Sequence, residues 1–239
     1  MPEGQIAVSP DERVFAQYAQ PVTRYQHGIL GDALEASQLV AVIDGKPFVL
    51  TLGPEYVFED ICPRLADVNG DGNWELITIR THLDRGAGIA VYALRDDSLR
   101  VLTQLPEIGT RNRWLNPAAI YDLDGDGQVE IAWVQTPHIG GILKVATFSP
   151  DTLIVRDALR LFTNHAIGET NLCLSVLTQH AGQTRCYLPT HDRQRILGFA
   201  YLNHRWQAVD SFDLAVDMSL PLATQYDFGP LLSDAHCQP

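Results

Sequence analysis

Two stretches of the chain write one pattern twice, 55 residues apart: ADVNGDGNWELITIR from Ala66 and YDLDGDGQVEIAWVQ from Tyr121. Each opens on alternating oxygen-bearing residues and runs into a strand-like segment. Asp67, Asn69, Asp71, Asn73 and Glu75 occupy positions 1, 3, 5, 7 and 9 of the first loop, and Asp122, Asp124, Asp126, Gln128 and Glu130 repeat them in the second. A hard divalent cation takes about 6 to 8 oxygen ligands, and carboxylates on alternate residues of a glycine-rich turn aim those oxygens at one point. The pattern predicts two Ca2+ sites. An EF-hand needs a bidentate Glu at position 12 and flanking helices; here Thr78 and Trp133 stand at that position and strands follow. The EF-hand reading is therefore excluded, while plain Asn-Gly and Asp-Gly turn chemistry remains the simpler alternative.

The 55-residue period extends beyond the loops. ELITIR, GIAVYAL and LRVLTQL in one unit answer to EIAWVQ, ILKVATF and LIVRDAL in the next, joined by turns at RDDS and SPDT. With a short strand before each loop (PRLAD, PAAIYD), every unit has the four strands of a propeller blade. A third copy follows in which Asp122, Asp124 and Asp126 become Leu177, Gln179 and Ala181, so it should keep the fold without the ion. Upstream, HGILGDALEASQLVAVIDGKPFVLTL reads as a shortened blade with a tight IDGK hairpin, and downstream ATQYDFG echoes AAIYDLDG. The expected fold class is all-β: a single β-propeller of four-stranded antiparallel blades, five in number, closed by N- and C-terminal strands. Its units run 27–60, 61–115, 116–170 and 171–215, with a shared unit from 1–26 plus 216–239. Four blades is the alternative count.

Composition excludes some functions. A net charge of -12 with no basic patch argues against nucleic acid as a partner. No apolar run reaches the roughly 18 residues of a transmembrane segment, and MPEGQIAVSP lacks the basic and apolar regions of a signal peptide. Either the protein is cytoplasmic or a leader has been removed, and calcium sites of this kind favour the periplasm or extracellular space. Cys62, Cys173, Cys186 and Cys237 fit no zinc spacing, leaving disulfides and buried thiols both open.

The D-x-[DN]-G-D-G-x-x-E-[LI] units resemble the FG-GAP, or VCBS, repeats of integrin-like β-propellers. The combination of HGILGD, VFEDICPRLADVNGDG, RNRWLNPAAIYDLDGDG and TNHAIGE resembles a group of small, usually exported bacterial FG-GAP-repeat proteins. The resemblance implies the propeller fold and calcium in the aspartate-rich loops, and implies no reaction.

Blade topology puts the calcium loops on one face and collects other polar residues opposite. Asp84 and Arg85, His138, and His191 and Asp192 lie in the loops between second and third strands. Glu59, Asp60, Arg113, Trp114, Asn164, His165 and Glu169 lie in the interblade links, with His27 at the same end of the first blade. Two functions fit. As a binding surface, Trp114 offers an apolar plane and Arg113, Asn164, His165 and Asp192 offer directed hydrogen bonds to a carbohydrate, a small carboxylated ligand or a protein. As a hydrolase or lyase site, His138 or His165 is the general base, Glu169 or Asp84 its partner, and Arg113 the stabiliser of negative charge. A second metal on the histidines is a variant of the enzyme.

Overall fold

The computed structural model describes residues 1, 4–149 and 152–232. It is an all-β chain with seventeen strands and one helical turn among the described residues, and it divides into two compact units, one ending at Trp114 and the other beginning at Leu115.

In the first unit β1 (Ala7–Val8), β2 (Val14–Val22), β3 (Glu35–Ile43) and β4 (Lys46–Thr51) pair antiparallel in chain order. A short β5 (Tyr56–Phe58) then bridges β3 to β7 (Glu75–His82), which also pairs with β6 (Arg64–Ala66). Beyond β7 come β8 (Gly86–Arg95) and β9 (Ser98–Gln104). In the second unit β10 (Leu115–Tyr121), β11 (Glu130–Gln135), β12 (Ile142–Ser149) and β13 (Thr152–Arg160) make one four-stranded sheet. A second four-stranded sheet follows, of β14 (Val176–His180), β15 (Gln183–Pro189), β16 (Ile196–Leu202) and β17 (Arg205–Phe212).

Burial explains the residue patterns. Strands β7, β8 and β11 are covered on both faces and read as nearly continuous apolar runs. The last strands, β9, β13 and β17, are mostly exposed and carry charge. Leu39, Phe58, Leu65, Leu76 and Tyr92 anchor the core of the first unit; Leu143, Val145, Phe162, Leu188 and Phe199 anchor that of the second. Between the third and last strands of three groups the register slips at the same place, at Val91/Tyr92, Val145/Ala146 and Gly198/Phe199.

Several hairpins close on two residues with positive φ: Asp44–Gly45 in IDGK, Asp96–Asp97 in RDDS, and Asn203–His204. That conformation matches the twist of the flanking strands. The ion-less third copy closes the same way at Ala181–Gly182, so a tight turn replaces the longer loop. The turn expected at SPDT has its central residues, 150 and 151, outside the described ones.

Two expectations are corrected. The N-terminal strands were assigned to a unit shared with the C-terminal segment; instead β2 pairs with β3 along its length, from Val14↔Ile43 to Val22↔Glu35. A nine-residue partner satisfies more backbone groups than one short segment can. The stretch ATQYDFG, read as a strand, starts with a helical turn, α1 (Leu222–Gln225), entered through Pro221 at φ -55. Leu222 is fully buried beside Leu174 and Val176, with Tyr226 and Phe228 packed on the same cluster, and Leu231 bridges to Thr178. Packing of these apolar side chains outweighs the strand-like pattern. Residues 233–239 of the expected closing unit lie outside the described ones. No described helix is long and apolar enough to cross a membrane.

Gly86 and Gly141, 55 residues apart, begin equivalent third strands and do equivalent work. A Cβ on Gly86 would meet the carbonyl oxygens of Thr110 at 2.5 Å and Arg113 at 2.7 Å, and one on Gly141 would lie 1.5 Å from that of Phe162. Both have positive φ, and both let the following interunit link lie directly on the strand. Replacing Gly141 with Ala is expected to cost roughly 3 kcal/mol or more, because the backbone of 161–162 must move. Denaturant unfolding checks this, and a loss below about 1 kcal/mol would contradict the close approach.

Candidate functional site

At the loop end of β7 and β11 the two repeats build the same cage. Asp67 accepts backbone N–H groups from Gly70 (2.8 Å), Asp71 (3.1 Å) and Gly72 (2.9 Å). Asp122 does so from Gly125 (2.7 Å), Asp126 (3.1 Å) and Gly127 (3.0 Å). Glu75 and Glu130, first residues of their strands, each use one oxygen to accept the amide of Val68 (3.0 Å) or Leu123 (2.9 Å). Asn73 and Gln128 turn their side-chain amides to Asp71 and Asp126, so these two hold the loop rather than face its centre.

In the second loop Asp122, Asp124 and Glu130 bring carboxylate oxygens within 4.8 Å of one another. Asp124 Oδ1 and Glu130 Oε1 are buried without a hydrogen-bond partner. Burial, with the neighbouring aspartates, pushes Glu130 up to about 8 and raises Asp124. In the first loop burial takes Glu75 up to about 7, and the amide of Asn69 lies 3.1 Å from Asp71 and 3.5 Å from Glu75. Orphaned carboxylate oxygens that crowd each other call for a cation, and an all-oxygen set suits a hard one. The second loop therefore has the donor set that a hard cation takes.

The far end of β11 holds the second unit's histidines. His138 Nε2 lies 2.9 Å from His165 Nδ1, and His165 Nε2 lies 2.8 Å from the backbone oxygen of Glu169. A carbonyl only accepts, so His165 carries its proton on Nε2 and accepts from His138. The carboxylate of Glu169, expected as a partner, is not what His165 meets. His165 is buried, and desolvation lowers its pKa to about 4. His191 Nε2 accepts the amide of Gly140 (3.1 Å), and Asp192 closes its own turn through Thr190 and Gln194. Asn164 is fully buried and exchanges hydrogen bonds with Asn116: Asn164 Nδ2 donates to the carbonyls of Asn116 and Pro117, and Asn116 Nδ2 to those of Asn164 and Leu172. These side chains satisfy buried backbone. Asn164 and His165 are not presented to a ligand.

In the first unit, β7 separates the cage at Glu75 from a different cluster at Thr81, near its other end. Trp114 is buried, and its indole N–H donates to the carbonyl of Glu59 (2.9 Å), so it packs the interior and offers no exposed plane. Arg85 reaches Tyr56 Oη (3.1 Å) and Glu107 (3.4 Å), Arg113 bonds the carbonyl of Asn112 (3.0 Å), and Asp84 faces Arg111 at 3.8 Å in solvent. Exposed pairs of this kind contribute under about 1 kcal/mol.

What sequence reading placed here without joining is His27 and Glu59. Glu59 is fully buried; Oε1 lies 2.5 Å from His27 Nδ1, and Oε2 accepts from Thr81 Oγ1 at 2.7 Å. Burial raises the Glu59 pKa, while His27 and Thr81 oppose that shift. Tyr25, also buried, packs edge-on to the His27 ring at 5.8 Å, and its oxygen accepts the amide of Asn112 (3.0 Å). A buried glutamate in the apolar run YVFEDICP was the one available signal. Next to it Asp60 accepts from Tyr18 Oη (2.8 Å) and the amide of Ile61 (3.0 Å) and pairs with buried Arg64, a structural network.

No protein-family model and no curated protein sequence matches the chain. Among solved structures, it is similar to the periplasmic gluconolactonase of Pseudomonas aeruginosa, with 14% identity and a TM-score of 0.51, over 89% of this chain and 54% of that one. A likeness at 16% identity and a TM-score of 0.44 covers 74% of this chain and 42% of a rhamnogalacturonan lyase from Bacillus licheniformis. The chain thus spans about half the length of the solved structures it matches. The fold is β-propeller-like.

His165 generates a test. Its folded pKa of about 4 lies below the ordinary 6.5, so between those values the unfolded chain binds the extra proton. Its contribution is complete above about pH 6.5 and is lost as pH falls towards 4, by roughly 3 kcal/mol at most. His165→Gln should flatten the stability profile across that window in urea unfolding at several pH values. Parallel profiles for the two proteins would show that His165 is not held neutral.

Proposed function

We propose that the chain is a calcium-binding β-propeller of the FG-GAP/VCBS kind, working in the periplasm or outside the cell, where the ion is plentiful. The observation that carries this reading is the pair of orphaned buried oxygens, Asp124 Oδ1 and Glu130 Oε1, converging with Asp122. Asp122, Asp124, Asp126 and Glu130 would hold one ion, and Asp67, Asn69, Asp71 and Glu75 the other. The bound ion supplies positive charge where each loop enters its strand. Its role is to brace that end of the sheet.

Calcium that binds only the folded chain stabilises it by about 2.7 kcal/mol at a hundredfold excess over Kd. Thermal melts should rise by several degrees on adding calcium and fall back with a chelator. Asp122→Ala should lose one ion of two by isothermal titration. A melting curve indifferent to calcium would refute the bracing role.

For the opposite end we favour a hydrolase or lyase over a ligand-binding surface. Of the five residues such a surface would use, Trp114, Asn164 and His165 are in the interior, and only Arg113 and Asp192 are outside it. A partly exposed imidazole on a buried carboxylate remains, which is equipment for moving protons. The gluconolactonase that shares the fold suggests sugar-acid lactones as the substrates to try.

A further inference from the structure

Resting on the hydrolase reading, we infer that His27 is the general base of a water-activating site in the first unit, positioned by Glu59, and that its substrate is a polar ester of the sugar-acid lactone class. The two histidines His165 and His27 show why. His165 uses both ring nitrogens inside the protein, as a structural imidazole does. His27 uses Nδ1 alone, on Glu59, while Nε2 makes no hydrogen bond among the described residues and 14% of the side chain is exposed.

Glu59 is costly for a scaffold. A fully buried carboxylate is tolerated only when paired and hydrogen-bonded, and here its two oxygens are divided between His27 and Thr81. That division fixes the ring's rotation and stabilises the imidazolium formed when Nε2 takes a proton. The charged and titratable groups around the pair are Tyr25 against the ring, Asp60 acting on Glu59, Glu35 acting on Tyr25, and Arg111. The Arg111 guanidinium lies 5.9 Å from the Tyr25 ring centre and is over half exposed. Arg111, which also faces Asp84 at 3.8 Å, is the cation assigned here to a developing oxyanion.

The step balances without a further reagent. Nε2 of His27 removes a proton from water as the water oxygen bonds to the acyl carbon, which leaves an oxyanion for Arg111 to stabilise. The carbon–oxygen bond to the alcohol then breaks, and the alkoxide takes the proton back from Nε2, leaving a hydroxy acid one water heavier than the lactone. Among the described residues no serine or cysteine hydrogen-bonds to His27, so water attacks directly. An alkoxide is a leaving group that one imidazolium can protonate, which favours esters over amides. With Trp114 buried and Arg111 at the edge, the cluster offers charge and hydrogen bonds rather than an apolar plane, which favours a hydroxylated substrate.

The test uses the full chain with calcium, and hydrolysis of glucono-δ-lactone measured above the spontaneous rate. His27→Gln should lower kcat at least about a hundredfold. Glu59→Gln should lower it about tenfold or more and move the acid limb of the kcat profile to lower pH, because an amide no longer supports the imidazolium. Arg111→Gln, at an exposed position, should lower kcat with an unchanged melting temperature; it keeps the test decisive if a substitution at the buried pair prevents folding. A parent protein without turnover would overturn the hydrolase reading itself. Turnover that survives His27→Gln, an acid limb unmoved by Glu59→Gln, or full kcat in Arg111→Gln would overturn this assignment while leaving that reading in place.

Discussion

Strands β7 and β11 each begin with a buried glutamate that also closes an acidic loop, and much of the surrounding structure answers to that placement. One oxygen of each carboxylate is spent on a loop amide, Val68 or Leu123, which fixes where the loop re-enters the sheet. The other oxygen faces inward among aspartates, and in the second loop it has no partner. Like charges gathered in a partly dehydrated place are unfavourable unless a counter-charge is supplied. A fold that begins an inner strand this way gathers carboxylates where the loop re-enters the sheet.

The cages were legible because their information is local. Alternate carboxylates and the glycines between them sit within nine positions, so spacing alone defines the cage. The four-stranded grouping was legible for a related reason, since a 55-residue offset aligned whole strands. Residue type alone misled at Trp114, Asn164 and His165: polar or aromatic groups in links looked presented, yet each satisfies or fills the interior through partners 27 to 55 positions away. The His27–Glu59 pair was hidden by a similar gap, 32 positions, with nothing periodic to connect its members. The end of the chain was misread because ATQYDFG copies the outline of a strand, whereas the burial of Leu222 decides its conformation.

The repeat also keeps its joints where it loses its acidic residues. Asn116 and Asn171 stand 55 apart, and each donates its side-chain amide to a carbonyl of a later link, Asn116 to Asn164 and Leu172, Asn171 to Met218. Gly86 and Gly141 likewise admit the returning link at equivalent points. The copy with Leu177, Gln179 and Ala181 in place of the acids therefore keeps a full sheet. The acidic loop and sheet assembly are separable properties of one repeat.

The recurring slips of register beside the outer strands have a consequence for the molecule in a crowd. A bulge coils the strand it adjoins, and β13 and β17 also carry Arg156, Asp157, Arg160, Arg205 and Asp210 along their length. An edge that is bent and studded with both signs of charge is a poor template for a strand from another copy, although Ile154 and Val155 lie exposed on it. The irregularities that shape each sheet thus also act against edge-to-edge polymerisation.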